Sequence, residues 1–324
     1  MTHAIRFHKT GGPEVLVWEE VKISKPGPGE ARIRHTAVGL NFVDIYYRSG
    51  LYPVQLPSGL GGEGAGVVEE VGPGVTHLKP GDRVAYGAAP LGAYSEERLI
   101  PADRLLKLPD GIDDKTAAAM MLKGLTVQYL IRQTYRVKSG DTILLHAAAG
   151  GVGLILGQWA KHLGATVIGT VGSDEKAALA RAHGCAHTIV YSREDFAKRV
   201  EEITEGKKVP VVYDSVGKDT FLKSLDCLAP LGVATLFGQS SGGVEPLNLG
   251  LLAQKGSLFV TRPTLHTYAA KREDLVVMAK ELFEVVLSGA VKIEVHQTYP
   301  LKDAARAYAD LAARKTTGST VLLV

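Results

Sequence analysis

The run Leu144-Leu145-His146-Ala147-Ala148-Ala149-Gly150-Gly151-Val152-Gly153 constrains the fold of this chain more than any other stretch. Asp141-Thr142-Ile143-Leu144-Leu145 reads as a buried strand, the Ala/Gly segment as a tight turn, and Leu154 to Leu163 as an apolar helix. A second strand, Thr166-Val167-Ile168-Gly169-Thr170-Val171, follows. Together they make a complete strand–helix–strand unit, which calls for a parallel sheet with a right-handed crossover. Ala148, Gly150 and Gly153 fall at the spacing of a dinucleotide-binding fingerprint, with Ala in place of the first Gly. A side chain at Gly150 keeps the backbone from approaching a pyrophosphate, and one at Gly153 pushes the helix off the strand. The N–H groups of the turn and the positive end of the helix then face the phosphates. Ala149, Gly150, Gly151, Val152 and Gly153 are therefore candidate cofactor contacts. Small residues at such a turn also serve close packing alone, but the full unit around them favours a nucleotide.

With 324 residues the chain is long enough for two domains. Its net charge of +3, from 37 Lys and Arg against 34 Asp and Glu, is too small to argue for a nucleic-acid or membrane partner. No apolar run reaches the length of a membrane span. Met1-Thr2-His3-Ala4-Ile5-Arg6-Phe7 reads as a strand and lacks the apolar core of a signal peptide, so a cytoplasmic protein is expected. Cys185 and Cys227 are expected as two free thiols rather than a disulfide.

The first part of the chain is rich in Gly, Pro and short β-like runs. Glu30 to Val38, Gly66 to Val71 and Asp82 to Tyr86 read as strands between breakers, giving a small, mostly antiparallel β domain. Lys115 to Tyr135 reads as one long helical segment. Strands then follow near 142–146, 166–171, 187–190, 209–214, 231–237 and 257–261, with helices starting near 151, 174, 194, 217 and 247. That rhythm predicts an α/β, doubly wound, mostly parallel sheet. After Arg262-Pro263 it breaks. A helix over about 269–288, a strand Val291 to Val295, a helix near 301–313 and a strand Ser319 to Val324 are expected to return to the first domain. The boundaries so read are 1–124 with 263–324 for one domain and 125–262 for the nucleotide-binding domain.

An NAD site places an acidic side chain at the end of the second strand to take the ribose hydroxyls. Here the strand ends in Gly172 and Ser173, with Asp174-Glu175-Lys176 opening the next helix. Ser173 is suited to donate to a 2′-phosphate and Lys176 to neutralise it, which favours NADPH. Asp174 keeps NADH open. Equally, Ser173 can cap the helix while Asp174 and Glu175 complement its dipole. Tyr191, just after the next strand, is a candidate for packing against the adenosine.

Several further motifs stand in order along the chain. They are Gly39-Leu40-Asn41-Phe42-Val43-Asp44-Ile45-Tyr46-Tyr47-Arg48-Ser49-Gly50-Leu51-Tyr52, Gly61-Gly62-Glu63-Gly64-Ala65-Gly66-Val67-Val68, Gly81-Asp82-Arg83-Val84, Met121-Leu122-Lys123-Gly124-Leu125-Thr126, Tyr213-Asp214-Ser215-Val216-Gly217 and Thr261-Arg262-Pro263-Thr264-Leu265. With the Gly turn, they give an end-to-end resemblance to the zinc-independent, zeta-crystallin-like quinone oxidoreductases of the medium-chain dehydrogenase/reductase superfamily, most closely the bacterial ones. The resemblance implies a GroES-like catalytic domain beside a Rossmann domain, NADPH as cofactor, and a quinone as substrate. It implies that Asn41 and Tyr46 lie by the nicotinamide ribose and ring, that Thr126 faces the nicotinamide, that Asp44 and Tyr129 also bind the cofactor, and that Tyr52 lines the substrate cleft. It places Ser215, Phe237, Gly238, Gln239 and Ser240 on the cofactor, with Thr317 and Gly318 also in reach. Asn41, Tyr46 and Tyr52 are thus the catalytic candidates, although Tyr46 and Tyr52 also fit plain apolar lining. Arg262 either steers the anionic cofactor or forms a hinge ion pair.

Zinc alcohol dehydrogenases share this architecture, and a catalytic zinc needs three Cys, His or carboxylate ligands. Where the zinc relatives carry a Cys after the Val-Gly-Leu run, this chain has Asn41; where they carry Gly-His-Glu, it has Gly61-Gly62-Glu63. No Cys cluster lies near 85–110 for a structural zinc, so no metal is expected. Without a Lewis acid, catalysis rests on holding nicotinamide C4 against an acceptor that is already easy to reduce. A quinone fits best, by electron or hydride transfer; an enone or alkenal is the alternative, and a nucleotide-regulated RNA-binding or crystallin-type role the remote one. The apolar edge strand Ser257 to Val260 is expected to pair with its own copy in a homodimer.

Overall fold

Period-two alternation and frequent Gly and Pro give the first third of the chain its short strands. They are β1 (Thr2–Phe7), β2 (Val17–Val21), β3 (Glu30–Leu40), β4 (Ser58–Gly59), β5 (Gly64–Val71), β6 (Arg83–Tyr86), β7 (Glu97–Pro101) and β8 (Leu106–Lys107). An α-helix interrupts them, α1 (Phe42–Arg48), in a stretch to which the sequence assigns no element of its own. Its start is fixed by a capping box in which the Asn41 side chain accepts from the Asp44 N–H and the Asp44 carboxylate accepts from the Asn41 N–H at 3.1 Å. The computed structural model describes residues 1–87, 90–313 and 315–324.

A long helix, α2 (Asp114–Tyr129), ends in a π-helical turn over Leu130–Thr134, so the segment expected as one helix changes hydrogen-bonding pattern near its end. Strands and helices then alternate: β9 (Thr142–Leu145), α3 (Gly151–His162), β10 (Thr166–Val171), α4 (Asp174–Ala182), β11 (Cys185–Val190), α5 (Phe196–Ile203), β12 (Val209–Asp214), α6 (Phe221–Ser224), β13 (Leu228–Leu236), α7 (Gly250–Gln254), β14 (Phe259–Thr261) and α8 (Leu265–Tyr268). The chain closes with α9 (Arg272–Leu287), β15 (Val295–Pro300), α10 (Ala304–Ala312) and β16 (Ser319–Leu323).

Two compact units result, one of Met1–Leu125, Ala269–Leu287 and Ile293–Val324, the other of Thr126–Tyr268 and Ser288–Lys292. In the first, β3 pairs antiparallel with β5, β7 and β16 in a seven-stranded sheet, and β2, β1 and β4 form a smaller one. Phe7, Ile33, Val84, Tyr94, Ile100 and Tyr308 are fully enclosed in its core. Burying each such apolar side chain is worth roughly 1.5–3 kcal/mol before entropy is counted.

In the second unit six parallel strands run in the order β11-β10-β9-β12-β13-β14. Leu144, Ile168, Val212 and Ala234 belong to one apolar cluster of the unit, as near-continuous Val/Ile/Leu runs on parallel strands require. The order reverses between β9 and β12, and the crevice beyond the carboxyl ends of strands at such a switch is where open α/β sheets bind ligands.

Two expected strands shift. The one read over Val291–Val295 runs instead over Val295–Pro300. Lys292 is held in the second unit by Gln158, whose Nε2 donates to the Lys292 carbonyl at 3.0 Å and whose Oε1 accepts from its N–H at 2.9 Å. The edge strand begins at Phe259 rather than Ser257, because Ser257 has φ +56° and Leu258 turns into the core.

Candidate active site

The Gly turn is tied to the strands on both sides. The His146 N–H donates to the Tyr213 carbonyl at 3.0 Å, and the Ala148 N–H to that of Thr170 at 3.1 Å. His146 itself is buried between Thr170 Oγ1 and Ser224 Oγ, each at 2.8 Å, and burial pushes its imidazole pKa down. It is a neutral spacer between β10 and α6. Ala147 sits at φ +53°, a strained value for a residue with a side chain, and Gly150 caps α3. A Cβ at Gly153 would lie 2.4 Å from the Ala147 oxygen, so packing alone requires glycine there. A Cβ at Gly150 would meet only that same oxygen, at 3.3 Å. Protein packing therefore presses less on Gly150 than on Gly153, since at 150 the Ala147 carbonyl need give only a few tenths of an ångström. That turn also presents N–H groups with no intrahelical acceptor, including those of Gly151 and Val152.

Gly172, Ser173, Lys176 and Tyr191 come together beyond the ends of β10 and β11. A Cβ on Gly172 would lie 2.9 Å from the Tyr191 hydroxyl, so glycine lets the half-exposed ring lean over the strand end. Ser173 caps α4, accepting from the Lys176 N–H at 3.3 Å. Arg193 clasps Asp174 with two hydrogen bonds, 2.7 and 2.5 Å, and holds its carboxyl below the usual carboxylate range. The acidic side chain that opens α4 is thus already bound by a cation.

Asp214 organises the next loop. Its Oδ1 accepts from the N–H groups of Val216 and Gly217 at 2.7 and 3.0 Å, and its Oδ2 from Thr220 Oγ1 at 2.7 Å. Ser215 and the segment Phe237-Gly238-Gln239-Ser240 are then knitted together. The Phe237 N–H donates to Asp214 and that of Ser240 to Ser215, while a Cβ on Gly238 would collide with the Ser215 carbonyl at 2.8 Å. Thr126 and Tyr129 lie at the end of α2. Tyr129 stacks on Tyr268 with centroids 4.6 Å apart and planes within 7°, and burial raises its pKa, with Arg262 near enough to oppose the shift.

In the first unit Asn41 lies at the start of α1 beside Glu63. Asn41 Nδ2 donates to Glu63 Oε2 at 2.7 Å, the Leu122 N–H to Oε1 at 2.7 Å, and Lys123 Nζ to Oε2 at 3.0 Å. Glu63 is fully enclosed and Lys123 only 6 % exposed. Asp44 is also fully enclosed, so its carboxylate acts from behind Asn41. Its Oδ2 accepts from the Asn41 N–H and, at 2.9 Å, from Tyr94, whose hydroxyl is 2.8 Å from that of Tyr308. Burial pushes its pKa up to about 6 against those hydrogen bonds. Tyr46 meets Phe42 and Tyr52 edge-on, with centroids 5.6 and 5.2 Å away, and Tyr47 meets Tyr52 at 5.5 Å. The Tyr52 N–H donates to the Tyr46 carbonyl at 2.9 Å. Thr317 Oγ1 lies 2.8 Å from His296 Nδ1, and Gly318 turns at φ +58° into β16, whose Ser319 hydroxyl donates to the Ala119 carbonyl at 2.9 Å.

Three residues had been given no role from the sequence, although Glu63 and Lys123 stand within its motifs: Arg193, Glu63 and Lys123. For Lys123 a signal was present. It is the one charge within the apolar helical run Ala117 to Leu125, where an ionised side chain is tolerated only with a partner. Arg193 follows Tyr191 by two residues, but which way it turns depends on the loop after β11.

Residues 27–110 match the model of the alcohol dehydrogenase GroES-like domain, and residues 151–275 that of the zinc-binding dehydrogenase domain. The class is thus a two-domain dehydrogenase or reductase with a GroES-like and a Rossmann part. A quinone oxidoreductase of Pseudomonas aeruginosa is 60 % identical over the whole of both chains. A 2-haloacrylate reductase of Burkholderia sp. is 52 % identical, covering 100 % of this chain and 99 % of its own. The crystal structure of Escherichia coli quinone oxidoreductase complexed with NADPH superposes with a TM-score of 0.98 at 53 % identity, over 99 % of this chain and all of the other. The chain belongs to the quinone oxidoreductase family.

Proposed function

We propose that the protein is an NADPH-dependent quinone reductase that works without a metal. What supports it most is the nucleotide end of the second unit, taken with the full-length likeness to quinone oxidoreductases. There Gly172, Ser173 and Lys176 surround the strand end while Arg193 engages Asp174. A 2′-phosphate suits such a neutral and cationic setting, and a bare ribose diol lacks its usual acceptor. The second unit is the NADPH-binding domain. Ala149 to Gly153 take the pyrophosphate, Gly172, Ser173, Lys176 and Tyr191 the adenosine end, and Thr126, Tyr129, Ser215 and Phe237 to Ser240 the nicotinamide half. The first unit is the catalytic domain. Asn41 and Tyr46, backed by Asp44, serve the nicotinamide with Thr317 and Gly318, and Tyr52 offers its ring and hydroxyl to the quinone. When bound, NADPH supplies two electrons and a proton at nicotinamide C4, and a second proton from solvent completes the hydroquinone.

The residues do not fit a catalytic zinc. Of the positions that hold its ligands in zinc relatives, Asn41 and Gly62 offer none, and both Glu63 oxygens already accept from Leu122, Asn41 and Lys123. Among the described residues no three His, Cys, Asp or Glu side chains are grouped to hold a metal. An acceptor that needs no Lewis acid is therefore the natural substrate. The 52 % identical 2-haloacrylate reductase favours a second reading, reduction of an activated C=C bond on the same scaffold. Initial rates of NADPH oxidation with p-benzoquinone and with a small enone decide between them: the quinone is expected to be much the faster, and a faster enone reverses the assignment.

We place the protein in the cytoplasm as a homodimer. No described helix is long and apolar enough to cross a membrane, and both cysteines are buried thiols. Phe259 and Val260 on the edge strand β14 are 59 % and 38 % exposed, which leaves a β edge suited to pairing with a second copy.

A further inference from the structure

We infer that Lys123 is a positioning residue for the reaction, the built-in cation that orients Asn41 through Glu63. The inference rests on the reading of Asn41 as a nicotinamide-side residue. Lys123 leaves α2 at a point where its neighbours are apolar, and both it and Glu63 are shut away from water. An ion pair so placed is costly to form unless each charge is met and hydrogen-bonded. Here it is met closely. The two Glu63 oxygens take three donors, with Leu122 N–H on Oε1 and Asn41 Nδ2 and Lys123 Nζ sharing Oε2. β3 is built around this group. A Cβ on Gly39 would lie 2.1 Å from Glu63 Oε2 and 2.3 Å from the Ala118 carbonyl, so only glycine admits the carboxylate between strand and helix.

The consequence falls on the Asn41 amide. With Nδ2 aimed at a carboxylate, the amide oxygen is left to face the first turn of α1, where Asn41 and Asp44 form the capping box. Neither end of the amide can then flip, and α1, which carries Tyr46, starts at one fixed residue. If Lys123 is removed, Glu63 keeps its charge without a counter-ion or takes up a proton, and either change alters the acceptor that Asn41 sees. A family model described as zinc-binding matches residues 151–275, yet the positive charge of the first unit's carboxylate site is an ammonium from the chain itself.

Two variants test this, Lys123→Met and the doubly neutral Lys123→Met/Glu63→Gln, assayed for kcat and KM with p-benzoquinone, for NADPH affinity by fluorescence, and for thermal midpoint. K123M is expected to lose between about tenfold and a hundredfold in kcat, the scale of a misplaced orienting group, with NADPH affinity changed less than about twofold. The double variant has no unpaired charge and is expected to recover the thermal midpoint. Its kcat is expected to stay low, because the amide introduced by Glu63→Gln has a single acceptor oxygen for the Leu122 and Asn41 donors that need two. A double variant that turns over like the wild type overturns the proposal, as does a K123M whose kcat is unchanged. Wild-type protein that oxidises no NADPH with a quinone overturns instead the reading of the reaction, and the thermal midpoints still report the ion pair.

Discussion

Two glycines of one turn answer to different demands, and a methyl group separates them. At Gly153 it would strike the Ala147 and Ala148 backbone at 2.4 to 2.7 Å, so Gly153→Ala is expected to lower thermal stability outright. At Gly150 it would meet one oxygen at 3.3 Å, so Gly150→Ala is expected to melt close to the wild type but to bind NADPH at least about tenfold more weakly. Titration of both variants with NADPH, beside their melting curves, checks the pair; equal losses of stability would remove the distinction. Asp44 carries a second residue-scale prediction. Its folded pKa of about 6 lies above the ordinary 3.8, so the folded state holds its proton more tightly than the unfolded one. The stability this contributes is complete below the unfolded pKa and is lost as pH rises through about 6, on the order of 2–3 kcal/mol in all. In Asp44→Asn one amide oxygen can take both bonds that Oδ2 now accepts, from Asn41 and Tyr94, while Oδ1 has no partner among the described residues. Urea denaturation of wild type and D44N between about pH 4 and 7 is expected to show the wild type losing ground as pH rises; parallel curves would contradict the buried-acid account.

The elements themselves were legible to different degrees. Strands β9, β10 and β12 and helices α3 and α4 stand where apolar runs and the Gly turn put them, because a strand buried on both faces writes its burial into consecutive residues. Helix α1 was not legible, since Phe42 to Arg48 is short and made largely of aromatic and β-branched residues, and its start depends on the Asn41–Asp44 box. The strand expected at Val291 moved because a single side chain from α3, Gln158, holds Lys292 in the other unit. Of the candidate site, the Gly turn and the Ser173 cap follow from local pattern, whereas Glu63 with Lys123 and Asp174 with Arg193 join elements apart in sequence. The second pair ties the start of α4 to the loop after β11, and the proposed function gives it a part in cofactor choice. Arg193→Ala releases the Asp174 carboxylate and removes a cation, so the ratio of kcat/KM for NADPH to that for NADH is expected to fall. An unchanged ratio would leave Ser173 and Lys176 as the only determinants.

At the scale of the whole molecule, a parallel sheet that ends on an exposed apolar strand and a GroES-like unit with a buried internal cation make a scaffold for easily reduced acceptors. Pairing of β14 across a two-fold axis would cover Phe259 and Val260, so Phe259→Asp is expected to turn a dimer into a monomer in sedimentation velocity; a wild type that already sediments as a monomer would contradict that assembly. The domain rhythm and the family were visible in the sequence because they rest on repeated local pattern. The quinone class came with the family; which quinone is taken did not, since no local pattern in the sequence encodes it. The measurement that bears most directly on the central claim is the initial rate of NADPH oxidation by chelator-treated protein, with p-benzoquinone as acceptor and NADH as the control. Fast turnover with NADPH, undiminished by chelation and slow with NADH, is the expected result. Loss of turnover on chelation that returns with added zinc would contradict it, as would no turnover despite tight NADPH binding.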